Sequence, residues 1–410
     1  MPGPLDGVRI IDLTTVGYGP YACQILGDYG ADVIKVESAE GDITRGIAPF
    51  RHAGMGHFFL MANRNKRSIV LDLKAERGRD AFLRLVKDAD AVITSVRPAA
   101  MARLGLGYED CRAQNENLIY VALVGFGQDG PYARRPAYDD IIQGVSGMAD
   151  MQGGRSGTPR FVNASICDKI CSQVAAHATL AALFHRERAG TGQLVEVPMF
   201  ESMVGFNLVE HHSGRAFEPD LGPAGYERSM VEYRRPYATA DGFVCALPYN
   251  TKQWRAFFAI MGREDLQDDP RVTDVKLRSE TIGELYELVA ELVADWKTED
   301  LLAALEKADV PHGRAIPLDD LADDPHLQAV GFFRSMEHPS EGGIRLTAPP
   351  MKLSETPAEI RSVPARLGEN SVEVLREAGY SEQEIEALIA DGVSRDGRDE
   401  DETPPAAAAS

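Results

Sequence analysis

The stretch Val8-Arg9-Ile10-Ile11-Asp12-Leu13-Thr14-Thr15-Val16-Gly17-Tyr18-Gly19-Pro20-Tyr21-Ala22, running on to Gly30-Ala31-Asp32-Val33-Ile34-Lys35-Val36-Glu37, decides the fold class. Val8–Leu13 is a short apolar run of strand type, Gly17–Pro20 is turn chemistry, and Tyr21–Asp28 is helical. Gly30 then leads into a second strand, Ala31–Glu37. Pro20 suits the first turn of a helix, where its missing N–H would find no intrahelical acceptor in any case. A β-α-β unit of this length implies parallel strands joined by a right-handed crossover.

Outward from this unit the alternation continues. Further strands are expected at Ser68–Leu73, Ala89–Thr94, Leu118–Val124 and Leu194–Val197, with helices near Glu76–Lys87 and Asp168–Arg188. Strands separated by helices in this way point to an open α/β sheet with helices on both faces. The pattern changes after about residue 225. Tyr233–Ala240 and Phe243–Leu247 flank Asp241-Gly242, a hairpin signal, and Asn250-Thr251 can cap a helix through Trp254 and Phe258. Acidic amphipathic helices follow near 280–308, strand-like runs return around 326–352, and Asn370–Leu388 reads as a closing helix pair. Residues 394–410 lack apolar periodicity and are expected to be a disordered acidic tail.

Charge is distributed unevenly along the 410 residues. Residues 1–200 hold 22 basic and 22 acidic side chains, whereas 201–410 hold 21 and 41, so the formal net charge of −20 lies entirely in the second half. Such a surface repels nucleic-acid backbones and anionic lipid heads, which disfavours nucleic-acid and membrane partners. No apolar run approaches the roughly 20 residues needed to cross a bilayer, and the first residues lack the build of a signal peptide. Five sparse cysteines suggest reduced thiols and a cytoplasmic location. The Cys167/Cys171 spacing is not a standard zinc or redox pattern, and no metal is expected.

Gly17-Tyr18-Gly19-Pro20-Tyr21-Ala22 also fits G-x-G-x-x-A, with Glu37 ending the next strand where an NAD enzyme would bond the ribose. An NAD-dependent oxidoreductase is thus one reading of the turn, although glycines there equally serve any close backbone approach.

Longer strings carry more information. They are Leu5–Asp12, Gly30–Glu37, Gly41–Arg45, Asn63–Lys74, Arg97-Pro98, Arg103-Leu104-Gly105, Gly125-Phe126-Gly127, Gly130-Pro131-Tyr132, Pro136-Ala137-Tyr138-Asp139, Gly190–Gln193, Val310–Gly313 and Leu367–Asn370. In this order and spacing, over roughly residues 4–392, the chain resembles the CaiB–BaiF family, the class III coenzyme A transferases. The resemblance implies a Rossmann-like large domain built from both chain ends (1–225 and 331–393), a smaller α+β domain (226–330) and an interlocked homodimer. It implies no tightly bound cofactor, with coenzyme A entering as an acyl-CoA co-substrate and a small organic acid as its partner.

The same resemblance places the nucleophile at Asp168, in Ala164-Ser165-Ile166-Cys167-Asp168-Lys169. Read alone, an Asp there is a helix N-cap; the two roles are compatible, because a helix N-terminus favours an ionised carboxylate. The implied chemistry passes an acyl group and then CoA through the aspartate without ATP. Cys167 is a rival nucleophile with the alternative of a buried thiol of ordinary pKa. CoA-binding positions map onto Gly17, Tyr18, Leu71, Asp72, Leu73, Lys74, Ser95, Val96, Arg97, Arg103, Tyr138 and Asp139, while Arg64, Lys66 and Arg67 are read as fixing their loop. The related α-methylacyl-CoA racemases carry a histidine where Tyr138 stands, and no histidine occurs between His57 and His177. This favours transfer over racemisation, with Asp139 keeping racemase or isomerase activity as the alternative. Formyl-CoA transferases of the family have other residues at Gly17, Ser38 and Ser95, and a glycine-rich loop with no counterpart around Leu247–Thr251. Those departures point away from formate/oxalate exchange and toward another donor, succinyl-CoA by default. Arg234 and Arg235 are candidates for holding a second carboxylate.

Overall fold

A computed structural model describes residues 2–154 and 157–398. The chain forms two compact units. The described residues of one fall within 1–146, 163–204 and 325–410, and those of the other within 147–162 and 205–324. These limits differ from a division at residue 225: the second unit begins earlier and also takes in 147–162. The segment 147–162 carries two short apolar positions, Met148 and Ala149, that give no domain signal in sequence but are buried.

The large unit is organised on a six-stranded sheet of β1 (Arg9–Leu13), β2 (Asp32–Glu37), β3 (Lys66–Val70), β4 (Ala91–Thr94), β5 (Ile119–Val124) and β6 (Gln193–Pro198). All neighbours are parallel, in the order β3-β2-β1-β4-β5-β6. Strand order therefore reverses direction between β1 and β4, the switch point where open α/β sheets leave a crevice beyond their carboxyl ends. Burial on both faces explains the near-continuous apolar runs: every residue of β4 and β5 is buried. The helices that matter for the crevice are α1 (Tyr18–Asp28), α2 (Glu76–Lys87), α3 (Pro98–Leu104), α4 (Asp139–Val145) and the 24-residue α5 (Ile166–Ala189).

One face of the sheet packs Ile11, Ile34, Ile69, Phe82, Leu85 and Val92 together with Val374, Leu375, Ile385 and Leu388 from the chain's far end. The return of the C-terminal helices to the N-terminal sheet is thus part of the core. The expectation of disorder from residue 394 is corrected for 394–398. Ser394 is buried and donates its hydroxyl to the Val70 carbonyl at 2.8 Å, and Gly397 N–H bonds the Gly368 carbonyl at 3.1 Å. Polar and glycine residues can be ordered by backbone hydrogen bonds without an apolar period. Residues 399–410 lie outside the described residues.

The second unit holds a three-stranded antiparallel sheet of β7 (Tyr237–Ala238), β8 (Phe243–Ala246) and β9 (His312–Arg314). Its core gathers Val244, Trp254, Phe257, Phe258, Tyr286, Val289, Leu301 and Leu305. Helix α6 (Thr251–Ile260) opens with a reciprocal cap: the Asn250 side chain accepts from Gln253 N–H, and Gln253 returns a bond to the Asn250 backbone. Back in the large unit, the strand-like runs after residue 326 form an antiparallel hairpin, β10 (Phe333–His338) with β11 (Gly342–Thr347).

Candidate active site

Beneath the β1–α1 turn lies a buried charge network. Lys66 Nζ reaches Asp12 Oδ2, the Pro20 carbonyl and Asn63 Oδ1, each at 2.8 Å. Lys35 Nζ donates to the Thr14 carbonyl at 2.7 Å and pairs with Asp42 at 3.1 Å. Asp42 in turn accepts Val16 N–H at 3.2 Å. All these charged side chains are essentially excluded from solvent. Their burial is offset by pairing, and removing one member would leave an uncompensated charge. Val16 needs that support. It adopts φ +72°, a left-handed conformation that is costly for a β-branched residue, by about 1–3 kcal/mol.

The basic string 64–67 belongs to this scaffold. Arg64 forms a double hydrogen bond with Asp28 at 2.8 and 2.6 Å, and Arg67 joins Asp32, Glu373 and Glu377. Glu37, the residue an NAD enzyme would offer to ribose, is buried under Arg45 at 2.8 and 2.7 Å, which holds its carboxyl down at about 2, and it also accepts from Ser68. Its oxygens face inward. The glycines of the turn serve close approach. A Cβ on Gly19 would lie 2.3 Å from Thr14 Cβ, and one on Gly17 would lie 2.6 Å from Asp168 Oδ2.

A cleft of about 250 Å³ opens at the β1/β4 switch point. It is lined by Thr15, Val16 and Tyr18 after β1, Ser95, Arg97 and Pro98 after β4, and Leu123–Gly125 at the end of β5. Tyr138, just before α4, and Asp168 of α5 complete it, with Arg135 from the loop that precedes α4. Asp168 sits in the first turn of α5, after Ser165 at the N-cap, so it is not the cap itself. Its backbone N–H donates to Asp139 Oδ1 at 2.9 Å, and Asp139 Oδ2 accepts from Gln143 Nε2 at 2.6 Å. Ser172 Oγ bridges the Asp168 and Tyr18 carbonyls, both at 2.6 Å, tying α5 to α1.

No hydrogen bond or ion pair reaches the Asp168 carboxylate among the described residues. Burial, then the charges of Asp139 and Asp140, push its pKa up to about 7. The helix N-terminus therefore does not keep it fully ionised at neutral pH, contrary to the expectation from position alone. Desolvation and two like charges outweigh the partial positive charge of one helix end. Burial and the same carboxylates push the neighbouring Cys167 thiol well above its ordinary range, leaving a poor thiolate source.

Of the residues singled out in sequence, Tyr18, Ser95, Arg97, Tyr138 and Asp168 line the cleft, with Gly17 and Asp139 against Asp168. Leu71–Lys74, Val96 and Arg103 do not line it. The Leu71 and Asp72 N–H groups are taken by the Glu37 and Val393 carbonyls, and Lys74 N–H by Asp72 Oδ1. Arg103 lies exposed in the last turn of α3. Sequence reasoning passed over Val16 and Arg135. Val16 leaves no trace in sequence because backbone strain does not show there. Arg135 precedes the Pro136–Asp139 string, and that proximity was its one available signal; in the structure its guanidinium stacks 3.7 Å over the Tyr132 ring.

The combination of an uncapped, half-buried carboxylate with a cleft at the sheet's switch point suits covalent acyl chemistry. Residues 5–371 match CoA-transferase family III. The chain belongs to that family. It is 34% identical over 385 residues to a succinate–glutarate CoA-transferase of Agrobacterium fabrum, covering 91% of this chain and 95% of that protein. A formyl-CoA:oxalate CoA-transferase of Streptomyces avermitilis is 30% identical over 413 residues, covering 96% of this chain and 100% of that one. The crystal structure of a CAIB/BAIF family protein from Brucella suis superposes with a TM-score of 0.79 at 31% identity, covering 92% of this chain and 100% of that chain. The protein is a class III CoA transferase, an enzyme that moves CoA between an acyl-CoA and an acid. Among its described residues no helix is long and apolar enough to cross a membrane.

Proposed function

We propose that Asp168 is the covalent nucleophile of a CoA transfer from a donor such as succinyl-CoA to a carboxylic acid acceptor. The observation that carries this reading is the placement of the Asp168 carboxylate in the β1/β4 cleft, against Gly17, with its backbone N–H held by Asp139.

Asp168 Oδ attacks the donor thioester carbonyl; the C–S bond breaks and CoA leaves as thiolate, giving a mixed anhydride. The thiolate attacks the aspartyl carbonyl, the donor acid departs as carboxylate, and an aspartyl-CoA thioester remains. The acceptor carboxylate then attacks that thioester and releases thiolate. Thiolate attack on the acceptor's acyl carbon forms the new acyl-CoA and restores Asp168. Overall one acyl-CoA thioester is exchanged for another, so no ATP is needed. Each tetrahedral step develops an oxyanion, and we assign its stabilisation to the first-turn N–H groups of Tyr18 and Gly19, which have no intrahelical acceptors.

Gly17, Tyr18, Ser95, Arg97, Tyr138 and Asp139 are assigned to the acyl-CoA's thioester end and pantetheine arm. Leu71–Lys74, Val96 and Arg103 follow β3 and β4 on the same carboxyl edge of the sheet and are assigned to its nucleotide end. The large unit is thus the CoA-binding one. A succinyl donor is supported by the succinate–glutarate relative and by Gly17, which leaves no room for a side chain beside Asp168. An interlocked homodimer is part of the reading. Phe206 and Val209 are 53% and 84% exposed, apolar surface of the kind a second copy covers. The unpaired cysteines accord with a cytoplasmic location.

Mass spectrometry of the protein mixed with succinyl-CoA and other acyl-CoAs tests the mechanism. A CoA adduct on Asp168 that hydroxylamine removes is expected. Absence of an adduct across donors that are turned over, or an adduct on Cys167, would overturn it.

A further inference from the structure

The second unit contains a small cleft of about 160 Å³, walled by Tyr249, Trp254 and Tyr286 and flanked by Arg228, Arg278 and Ser279. Three observations there are independent of the large unit's chemistry. Arg278 is only 9% exposed, and its guanidinium meets a hydroxyl, Thr251 Oγ1 at 3.1 Å, and a carbonyl, that of Val272 at 2.6 Å. Arg228 donates to the Tyr286 hydroxyl at 2.8 Å and stacks 4.7 Å from the Tyr249 ring. Neither arginine forms an ion pair among the described residues, although they belong to the half of the chain that carries 41 acidic side chains. Finally, Trp254 is fully buried, lines the cleft, and its Nε1–H has no acceptor.

A guanidinium as buried as that of Arg278 is costly without a counter-charge, and so is a buried N–H donor without an acceptor. The indole N–H lacks any acceptor, and the two hydrogen-bonded guanidinium groups lack a counter-charge, so all three are donors around one cleft. What satisfies them together is an anionic acceptor with an apolar body that the aromatic walls can cover. At about 30 Å³ per water, the cleft holds about five waters, which suits an acid of a few carbons and excludes a nucleotide. We infer that this cleft is a binding site for a small carboxylic acid, its carboxylate held by Arg228 and Arg278 and by Trp254 Nε1–H. The inference does not depend on the role assigned to Asp168.

The test uses the full-length protein with Trp296→Phe, which leaves Trp254 as the one tryptophan of the chain. Titration with glutarate is expected to change Trp254 emission saturably, and dimethyl glutarate, which lacks the charge, is not. Arg228→Gln should weaken the glutarate response at least tenfold, while Arg228→Lys, with the charge retained, should recover part of it and controls for folding. The proposal is overturned by a glutarate response absent from the folded protein, by one that is unchanged in Arg228→Gln, or by an equal response to chloride at the same concentration. Adduct formation on Asp168, followed by mass in the same samples, separates failure of this site from failure of the proposed transfer mechanism.

Discussion

The backbone N–H of Asp168 is held by the side chain of Asp139, 2.9 Å away and 29 residues earlier in the chain. One carboxylate thus positions another and repels it at the same time. The bond fixes where α5 begins, while the Asp139 charge, after burial itself, helps raise the Asp168 pKa to about 7. Both consequences are open to measurement.

Replacing Asp168 by Asn removes the proposed nucleophile with little change in shape. CoA exchange, assayed by the appearance of the new acyl-CoA, should fall by at least about 10³-fold, and the hydroxylamine-labile adduct should vanish.

The raised pKa sets a pH dependence with a definite sign. Only the carboxylate attacks, so kcat/KM for the acyl-CoA should rise with pH through about 7 and level off above it. Stability runs the other way. A carboxyl whose folded pKa is raised contributes stability that is fully present below its ordinary 3.8 and is lost as pH rises through about 7. Asp168→Asn escapes that loss. Urea midpoints should therefore show the variant gaining on the wild type between about pH 4 and pH 7, reaching roughly 2 kcal/mol once the cleft's partial access to solvent is allowed for.

Asp139→Asn keeps an oxygen for the Asp168 N–H and removes the charge. The acidic limb of the kcat/KM profile should move down by about half a unit to one unit. Asp139→Ala loses the bond as well and should lower kcat in addition, a split that a purely structural role would not produce.

At Gly17 the backbone itself tolerates alanine, with φ −113° and ψ −55°. The added Cβ would lie 2.6 Å from Asp168 Oδ2, so the carboxylate must turn aside. Gly17→Ala should cost about 10²-fold in kcat/KM with a shift in Tm of no more than a few degrees, because a displaced nucleophile affects the reaction more than the fold.

Lys66→Met leaves Asp12 buried and deprived of one of its two lysines. A loss of about 3–5 kcal/mol is expected by chemical denaturation, with the slope of the transition unchanged.

Much of the fold could be read from the chain because its strands are buried on both faces. A run such as Ile119–Val124 must be almost wholly apolar, and a helix between such runs, Glu76–Lys87, repeats its buried positions at Gly78, Ala81, Phe82 and Leu85. The second unit's hairpin and the Asn250 cap were legible for the same reason: turn and cap chemistry are local. The fate of the basic string at 64–67 was legible only in outline. Its arginines and lysine meet Asp28 at the end of α1, Asp12 in β1 and Asp32 in β2, pairings that no spacing in the sequence specifies. Disorder at 394–398 was inferred from missing apolar periodicity, but those residues are ordered by hydrogen bonds to Val70 and Gly368, more than 300 and 29 positions away.

By itself, the sequence determined the alternation of strands and helices and the family-specific strings, since these depend on side-chain type and short-range spacing; Asp168 was singled out only through the resemblance those strings carry. Tertiary structure alone decided that β1 lies beside β4, that Asp139 and Gly17 converge on Asp168, and that burial overrides the helix end in setting its protonation. Desolvation and Coulomb interactions depend on distance through space, and the chain acquires those distances only when the sheet assembles.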